Sequence, residues 1–287
     1  MPLGVHTSIA GGISNSIDRI EDLGCDAMQI FSRNPRSWTL RPIPRNEIDL
    51  FRAKRRKAAI WPVAVHTTYL INLCSSDPAI FDRSVSLFKA EIGTAEDLGA
   101  DYLVTHLGSP LGMGADFALE RIGRALKEVC ESNLGKKAMI LLENTSGSGF
   151  GFGSSLKDVG RIMDNAALLG LEIGFCFDTC HAFAAGYRMS SESEVAALLE
   201  TVDREAGLKR LKLIHLNDSK GGLNSKLDRH EHIGEGKIGL DGFKALIANP
   251  VIRRTPLILE TPKKSEKDDP RNLRTVRKIM EAWGKPA

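Results

Sequence analysis

One alternation constrains this chain more than any other feature. Eight short apolar runs, LGVHT (3–7), AMQIF (27–31), VAVHT (63–67), YLVTH (102–106), MILLE (139–143), IGFCFD (173–178), LKLIHL (211–216) and LILE (257–260), are separated by longer amphipathic stretches. The runs are rich in Val, Ile, Leu and Phe and nearly continuous in apolarity, as suits parallel strands buried on both faces. Between them, the segment 80–99 sets Val85, Phe88, Ile92, Ala95 and Leu98 near one helical stripe, and 117–130 and 193–207 read similarly. Gly99 and Gly207 stand just past two helix ends, where a left-handed residue is wanted, and Asn46 is placed to cap a helix starting at Glu47. About eight uninterrupted strand–helix units predict an α/β fold, a single (β/α)8 TIM barrel over residues 1–287, with an open doubly wound sheet as the alternative. The length fits, since such a barrel takes about 250 residues.

Composition narrows the setting. Hydrophobic residues at 42% and charged residues at 26% are ordinary for a soluble globular protein. No apolar run reaches the roughly 18 residues of a membrane span, and the N-terminus shows no secretory signal. Five scattered cysteines argue against a disulfide framework and for a reducing, cytoplasmic setting. Cys176 and Cys180 alone are too few for a structural zinc site. A net charge of +3 tolerates nucleic acid without requiring it. Arg33, Arg36, Arg41 and Arg45 share a Pro-containing loop, while Lys54, Arg55, Arg56 and Lys57 read as a solvated helix face. The glycine-rich SGSGFGFGSS (146–155) reads as a functional loop and KKSEKDDPRN (263–272) as a charged loop.

The strand ends carry the chemistry. The third run ends near His66, the fourth at His106, the fifth at Glu143, the sixth at Asp178, the seventh near His215 and the eighth at Glu260. In a (β/α)8 barrel the active site lies at the carboxyl ends of the strands, so six metal-capable side chains are expected around one mouth. Imidazole with carboxylate suits zinc, manganese or iron. DTCHAF (178–183) adds His181 on a loop turning toward that mouth, and DRHEHIGEG (228–236) adds Asp228 and His230, an i, i+2 pair facing one side of an extended segment. His232 shares that parity and ranks below His230. A catalytic zinc takes about three protein ligands, so nine candidates imply two or three metals with one carboxylate bridging. Such clusters suit phosphoester hydrolysis.

The segments HTSIAGG (6–12), FSRNPRSW (31–38), HTTYLINL (66–73), HLGSPLG (106–112), LLENTSGSG (141–149), FDTCHAFAAGY (177–187), HLNDSK (215–220), DRHEHIGEG (228–236) and LILETP (257–262) resemble the endonuclease IV family of apurinic/apyrimidinic endonucleases through nearly the whole chain. The resemblance implies three zinc ions per chain, with manganese or iron able to replace zinc at some positions. His66, His106 and Glu143 would hold one ion. Glu143 would bridge to a second, completed by Asp178, His215 and Glu260. His181, Asp228 and His230 would hold the third. It implies a DNA-repair hydrolase that cuts double-stranded DNA on the 5′ side of an abasic site by attack of a metal-activated hydroxide. The products would be a 3′-hydroxyl and a 5′-deoxyribose phosphate, and blocked 3′ ends would also be trimmed. Glu143 and Glu260 are the catalytic carboxylates on this reading. Arg36 and Tyr69 match the side chains that wedge into the base stack, and the other loop arginines would meet phosphates. The family suggests a monomer, with no obligate protein partner evident. One departure stands out: the family's histidine-proline-glycine-serine-histidine run reads HLGSP (106–110) here, with Pro110 in place of the second histidine. Altered loop contacts and no lost ligand are expected. His6 is expected to support the site without being a ligand.

Two other functions fit parts of the pattern. A single-metal sugar isomerase or epimerase on the same barrel would need one divalent ion. A non-catalytic module that binds damaged DNA would bind abasic duplex without hydrolysing it.

Overall fold

A computed structural model describes residues 1–283. Its barrel strands are β1 (Leu3–Thr7), β2 (Ala27–Phe31), β3 (Val63–His66), β4 (Tyr102–Thr105), β5 (Met139–Glu143), β6 (Ile173–Asp178), β7 (Leu211–His215) and, after a two-residue antiparallel ladder of β8 (Asp218–Ser219) with β9 (His230–Glu231), β10 (Leu257–Leu259). All eight barrel strands are parallel to their neighbours, and β1 pairs with both β2 and β10, so the sheet closes. The open doubly wound alternative is thereby excluded. The helices are α1 (Asn15–Asp22), α2 (Arg45–Ala58), α3 (Pro78–Leu98), α4 (Ala115–Glu131), α5 (Leu156–Leu168), α6 (Thr179–Ala185), α7 (Glu192–Glu205), α8 (Gly239–Ala248), α9 (Pro250–Arg254) and α10 (Asp268–Trp283). No described helix is long and apolar enough to cross a membrane.

Period-two geometry sorts each strand into an outer and an inner face. Outward residues join the helices in the large core, which includes fully buried Phe51, Phe81, Phe88, Phe175 and Phe243. Inward residues Ala27, Ala64, Val104, Leu141, Cys176, Leu213 and Ile258 form a separate apolar plug inside the barrel. Two residues further along the same strands come Gln29, His66, His106, Glu143, Asp178, His215 and Glu260. A polar layer therefore sits directly above a packed apolar one, at the carboxyl ends of the strands.

Several local expectations change. Gly99 caps α3 in the left-handed region, and Gly207 has positive φ while Ala206 takes the cap of α7. Asn46 does not cap α2: the helix starts at Arg45, with Pro44 in the cap position and no capping side chain. Residues 268–272 of the supposed charged loop open α10 instead. The first turn there contains Pro270, which helix starts tolerate because its missing N–H is unpaired in any case. The Lys54–Lys57 run lies at the end of α2 remote from the mouth, where Arg55 binds Asp101 and the Gly99 carbonyl.

Candidate metal centre

The barrel topology places donor groups at the ends of β3 to β7 and β10, and α6 and the segment around β9 bring the rest over them. Donor atoms fall into three sets whose members lie within 4.8 Å of one another: His66, His106 and Glu143; Glu143, Asp178, His215 and Glu260; and Asp178, His181 and His230. Glu143 and Asp178 each belong to two sets. Asp228 stands at the rim of the third set, with Oδ1 3.2 Å from His181 Nε2 and 3.9 Å from His230 Nε2. His181 does not reach the mouth from a loop. Asp178 ends β6 and caps the short helix α6, accepting a 2.7 Å hydrogen bond from the His181 N–H, so the i+3 residue is held on the first turn above its own cap.

Four of the imidazoles are orientated by carbonyl acceptors. His66 Nδ1 donates to Thr67 O at 2.7 Å, His181 Nδ1 to Asn144 O at 3.0 Å, His230 Nδ1 to Glu260 O at 3.0 Å, and His215 Nε2 to Gln29 Oε1 at 2.9 Å. In a neutral ring the other nitrogen then presents a lone pair. Those lone pairs face carboxylates: His66 Nε2 lies 3.1 Å from Glu143 Oε2, and His215 Nδ1 lies 3.0 Å from Glu143 Oε1 and 3.2 Å from Glu260 Oε2. Acceptor facing acceptor at this range repels unless a cation lies between. His230 Nε2 is buried without a hydrogen-bond partner, 3.6 Å from Asp178 Oδ2. A ring tethered through one N–H with the other nitrogen free is the arrangement of metal-ligating histidines. The residues therefore fit divalent ions that accept nitrogen and oxygen ligands.

Without ions, protons take that role. Burial penalises the Glu143 carboxylate, but His106 and His215 foremost hold its carboxyl well below the ordinary range. Burial also opposes ionisation of Glu260, which His215 and His6 hold well below its usual value. Asp228 is pulled down to about 2 by His181 against the cost of burial. Burial disfavours the charged ring of His181, yet Asp178, Asp228 and Glu143 raise it well above the usual histidine value. His215 rises similarly against burial, through Cys176, Glu260 and Glu143. His106 is lowered, burial being the main cause.

Arg36 and Tyr69 stand on adjoining loops at the mouth. The Tyr69 N–H donates to Pro35 O at 3.2 Å. The Tyr69 ring is 62% exposed and meets Phe31 edge-on at 5.2 Å. It lines a cleft of about 370 Å3 together with Phe31, His230 and Glu260. Arg36 and Arg41 are exposed. Arg33 differs from the expectation of phosphate contact: it turns inward, donating to Thr94 Oγ1 at 3.0 Å and lying 3.8 Å from buried Glu91. Arg45 pairs with Asp49 along α2 at 3.2 Å. His232 points away from the centre, meeting Asn272 Nδ2 at 3.0 Å. His6 touches Glu260 Oε1 at 3.1 Å. In the departing segment, Asn72 holds Ser109 through both its N–H and its carbonyl at 2.9 Å, and Pro110 is buried.

Residues 17–283 match the family of xylose isomerase-like TIM barrels. A protein named "Probable endonuclease 4" from Methanoculleus marisnigri is 42% identical over 280 residues, spanning 98% of this chain and 99% of that relative. The chain belongs to the endonuclease IV family. A second endonuclease 4 relative, from Halothermothrix orenii, is also 42% identical, over 93% of this chain and 96% of its own. The solved endonuclease IV from Thermus thermophilus superposes with a TM-score of 0.87 at 32% identity, covering 98% of this chain and 100% of that one. A D-tagatose 3-epimerase-like protein superposes at 0.72 with 19% identity, which speaks for the shared barrel alone.

For this endonuclease IV family member, the sequence reading overlooked Gln29 and Asn217. Gln29 is fully buried, accepts from His215 Nε2 and donates to Glu260 Oε1 at 2.7 Å. Asn217 Nδ2 donates to Asp178 Oδ2 at 2.7 Å, and its Oδ1 accepts the Glu260 N–H at 2.7 Å. Neither amide ligates in the three sets, so a search for metal-capable side chains passes over both. Gln29→Met keeps the volume and removes these hydrogen bonds, together with the 3.0 Å contact to His6 Nδ1. Its expected effect is a loss of about 10–100-fold in metal affinity, read by competition with a chromophoric chelator.

Proposed function

We propose that the protein hydrolyses the phosphodiester on the 5′ side of abasic sites in double-stranded DNA, using three zinc ions. The observation that carries this reading is the convergence of His66, His106, Glu143, Asp178, His181, His215, Asp228, His230 and Glu260 at one mouth, in sets that share Glu143 and Asp178. The ions would activate a water molecule and neutralise the phosphate oxygens. His66, His106 and Glu143 would hold one, and Glu143, Asp178, His215 and Glu260 a second. The third set is His181 and His230 with Asp228, and Asp178 within reach. Manganese or iron would be tolerated at some of these positions.

In the reaction the water oxygen would join phosphorus, the bond from phosphorus to the preceding 3′ oxygen would break, and that oxygen would leave and take a proton from solvent to become a hydroxyl. Glu143 orients the water. Glu260, held by His6 and Gln29, accepts its proton. The 5′-deoxyribose phosphate remains on the other fragment. The same hydrolysis applied to a blocked 3′ terminus would trim it. Arg36 and Tyr69 would enter the duplex beside the lesion, where flipping costs least because the base is missing, and Arg41 would meet phosphate. The protein would act as a monomer, in the cytoplasm.

The test is incision of a labelled duplex carrying one abasic analogue, with metal content measured alongside. Incision that stops with chelator, near three ions per chain, supports the reading. About one ion per chain and turnover of a free ketose would favour the epimerase reading instead. Glu260→Gln is expected to fold normally and lose incision by at least about a hundredfold. A parental rate in that variant would remove Glu260 from the mechanism.

A further inference from the structure

The glycine-rich end of DRHEHIGEGKIG (228–239) has no role in the chemistry above. Its reason lies in Asp218, whose side chain is fully buried yet lies in none of the three donor sets. Oδ1 accepts the backbone N–H groups of Ser219 at 2.8 Å, Ile238 at 3.0 Å and Gly239 at 3.4 Å. Oδ2 accepts those of Gly234 at 3.0 Å and Gly236 at 2.9 Å. Five N–H donors thus converge on one carboxyl group, four of them from a single loop. That wrapping sets the glycines: Gly234 and Gly239 have positive φ, and a Cβ on Gly236 would fall 2.5 Å from Asp218 Oδ1.

The loop so held continues directly from β9, where His230 pairs with Ser219, the residue after Asp218. His230 has its own tether only through Nδ1, and its Nε2 awaits a partner. We propose that Asp218 is a positioning residue: by gathering the backbone of residues 234–239 it fixes the β8–β9 ladder, and with it His230 and Asp228, in register with Asp178 and His181. The proposal rests on the trinuclear reading for its consequence and on hydrogen bonding alone for its cause, so the two can be tested apart.

Asp218→Asn replaces an acceptor oxygen with an amide that cannot accept from the facing N–H groups. In the ion-free protein, amide exchange at residues 234–239 should accelerate by at least about tenfold, the loss expected for hydrogen bonds to a charged acceptor, while β3 to β5 stay protected. After dialysis the variant should retain one ion fewer than the parent. Its kcat on abasic duplex should fall with KM little changed, and added zinc should restore it. Gly236→Ala disturbs the same contact from the loop side and should reproduce the pattern, which covers the case in which Asp218→Asn fails to fold. Parental exchange at 234–239 in either folded variant overturns the proposal. So does acceleration spread over the whole barrel with all ions lost together, which would mark a general stability role. A parent that itself holds a single ion would overturn the trinuclear reading and leave the exchange result to decide on Asp218.

Discussion

Glu143→Ala is expected to abolish incision while leaving the barrel folded. Glu143 is the last residue of β5, so its side chain adds nothing to the strand pairing beneath it. Its two oxygens are nevertheless the most connected acceptors in the centre. Oε2 lies 3.1 Å from His66 and 3.6 Å from His106, and Oε1 lies 3.0 Å from His215 and 3.2 Å from His181. Alanine removes a donor from two of the three sets and leaves four imidazoles facing one another. Loss of a residue that merely orients a ligand costs about 10–100-fold in affinity or activity. Removing a shared ligand should exceed that at two ions together. The measurement is incision rate beside metal content. Parental ion content with an unchanged rate would show that Glu143 bridges nothing.

Much of this architecture was legible because buried parallel strands leave a strong imprint. Each of the eight apolar runs became a strand, with bounds that differ by one residue at most. The strand ends also located the centre, since two-residue periodicity carries the plug residues Ala64, Leu141 and Leu213 to His66, Glu143 and His215 without further information. What escaped depends on contacts between distant segments. Gln29 sits in the middle of an apolar run, and only the folded barrel reveals that it joins His215 to Glu260. Arg33 and Arg36 share a loop, and spacing alone does not tell that Glu91 draws one of them inward. The likeness of His230 and His232 in parity broke down because the chain turns after β9 and Asn272 on α10 takes the second ring. The start of α10 was masked by its charge, although acidic residues and a proline are themselves helix-start signals.

Competition between protons and metal ions gives the second large effect. In the ion-free protein, burial opposes the charged rings of His66, His181 and His215, but neighbouring groups, carboxylates for His66 and His181 and Cys176 ahead of Glu260 and Glu143 for His215, raise all three above the usual histidine value. A raised histidine contributes stability that is complete below the unfolded value of about 6.5 and is lost as pH rises through the folded one. Glu143 and Glu260 have the opposite sense: held low, they contribute above about 4.3 and lose that contribution as pH falls through their folded values. These groups together therefore favour the ion-free fold most between about pH 4.3 and 6.5. Ligation reverses the upper limb, because an imidazole must shed its proton to bind a metal. The rise in melting temperature on adding zinc should consequently grow from mildly acid to mildly alkaline pH. Titration calorimetry near neutral pH, in buffers of different ionisation enthalpy, should register net proton release. A zinc-dependent stabilisation that stays constant over that interval, with no protons released, would mean that the imidazoles facing Glu143 are not where the metal binds.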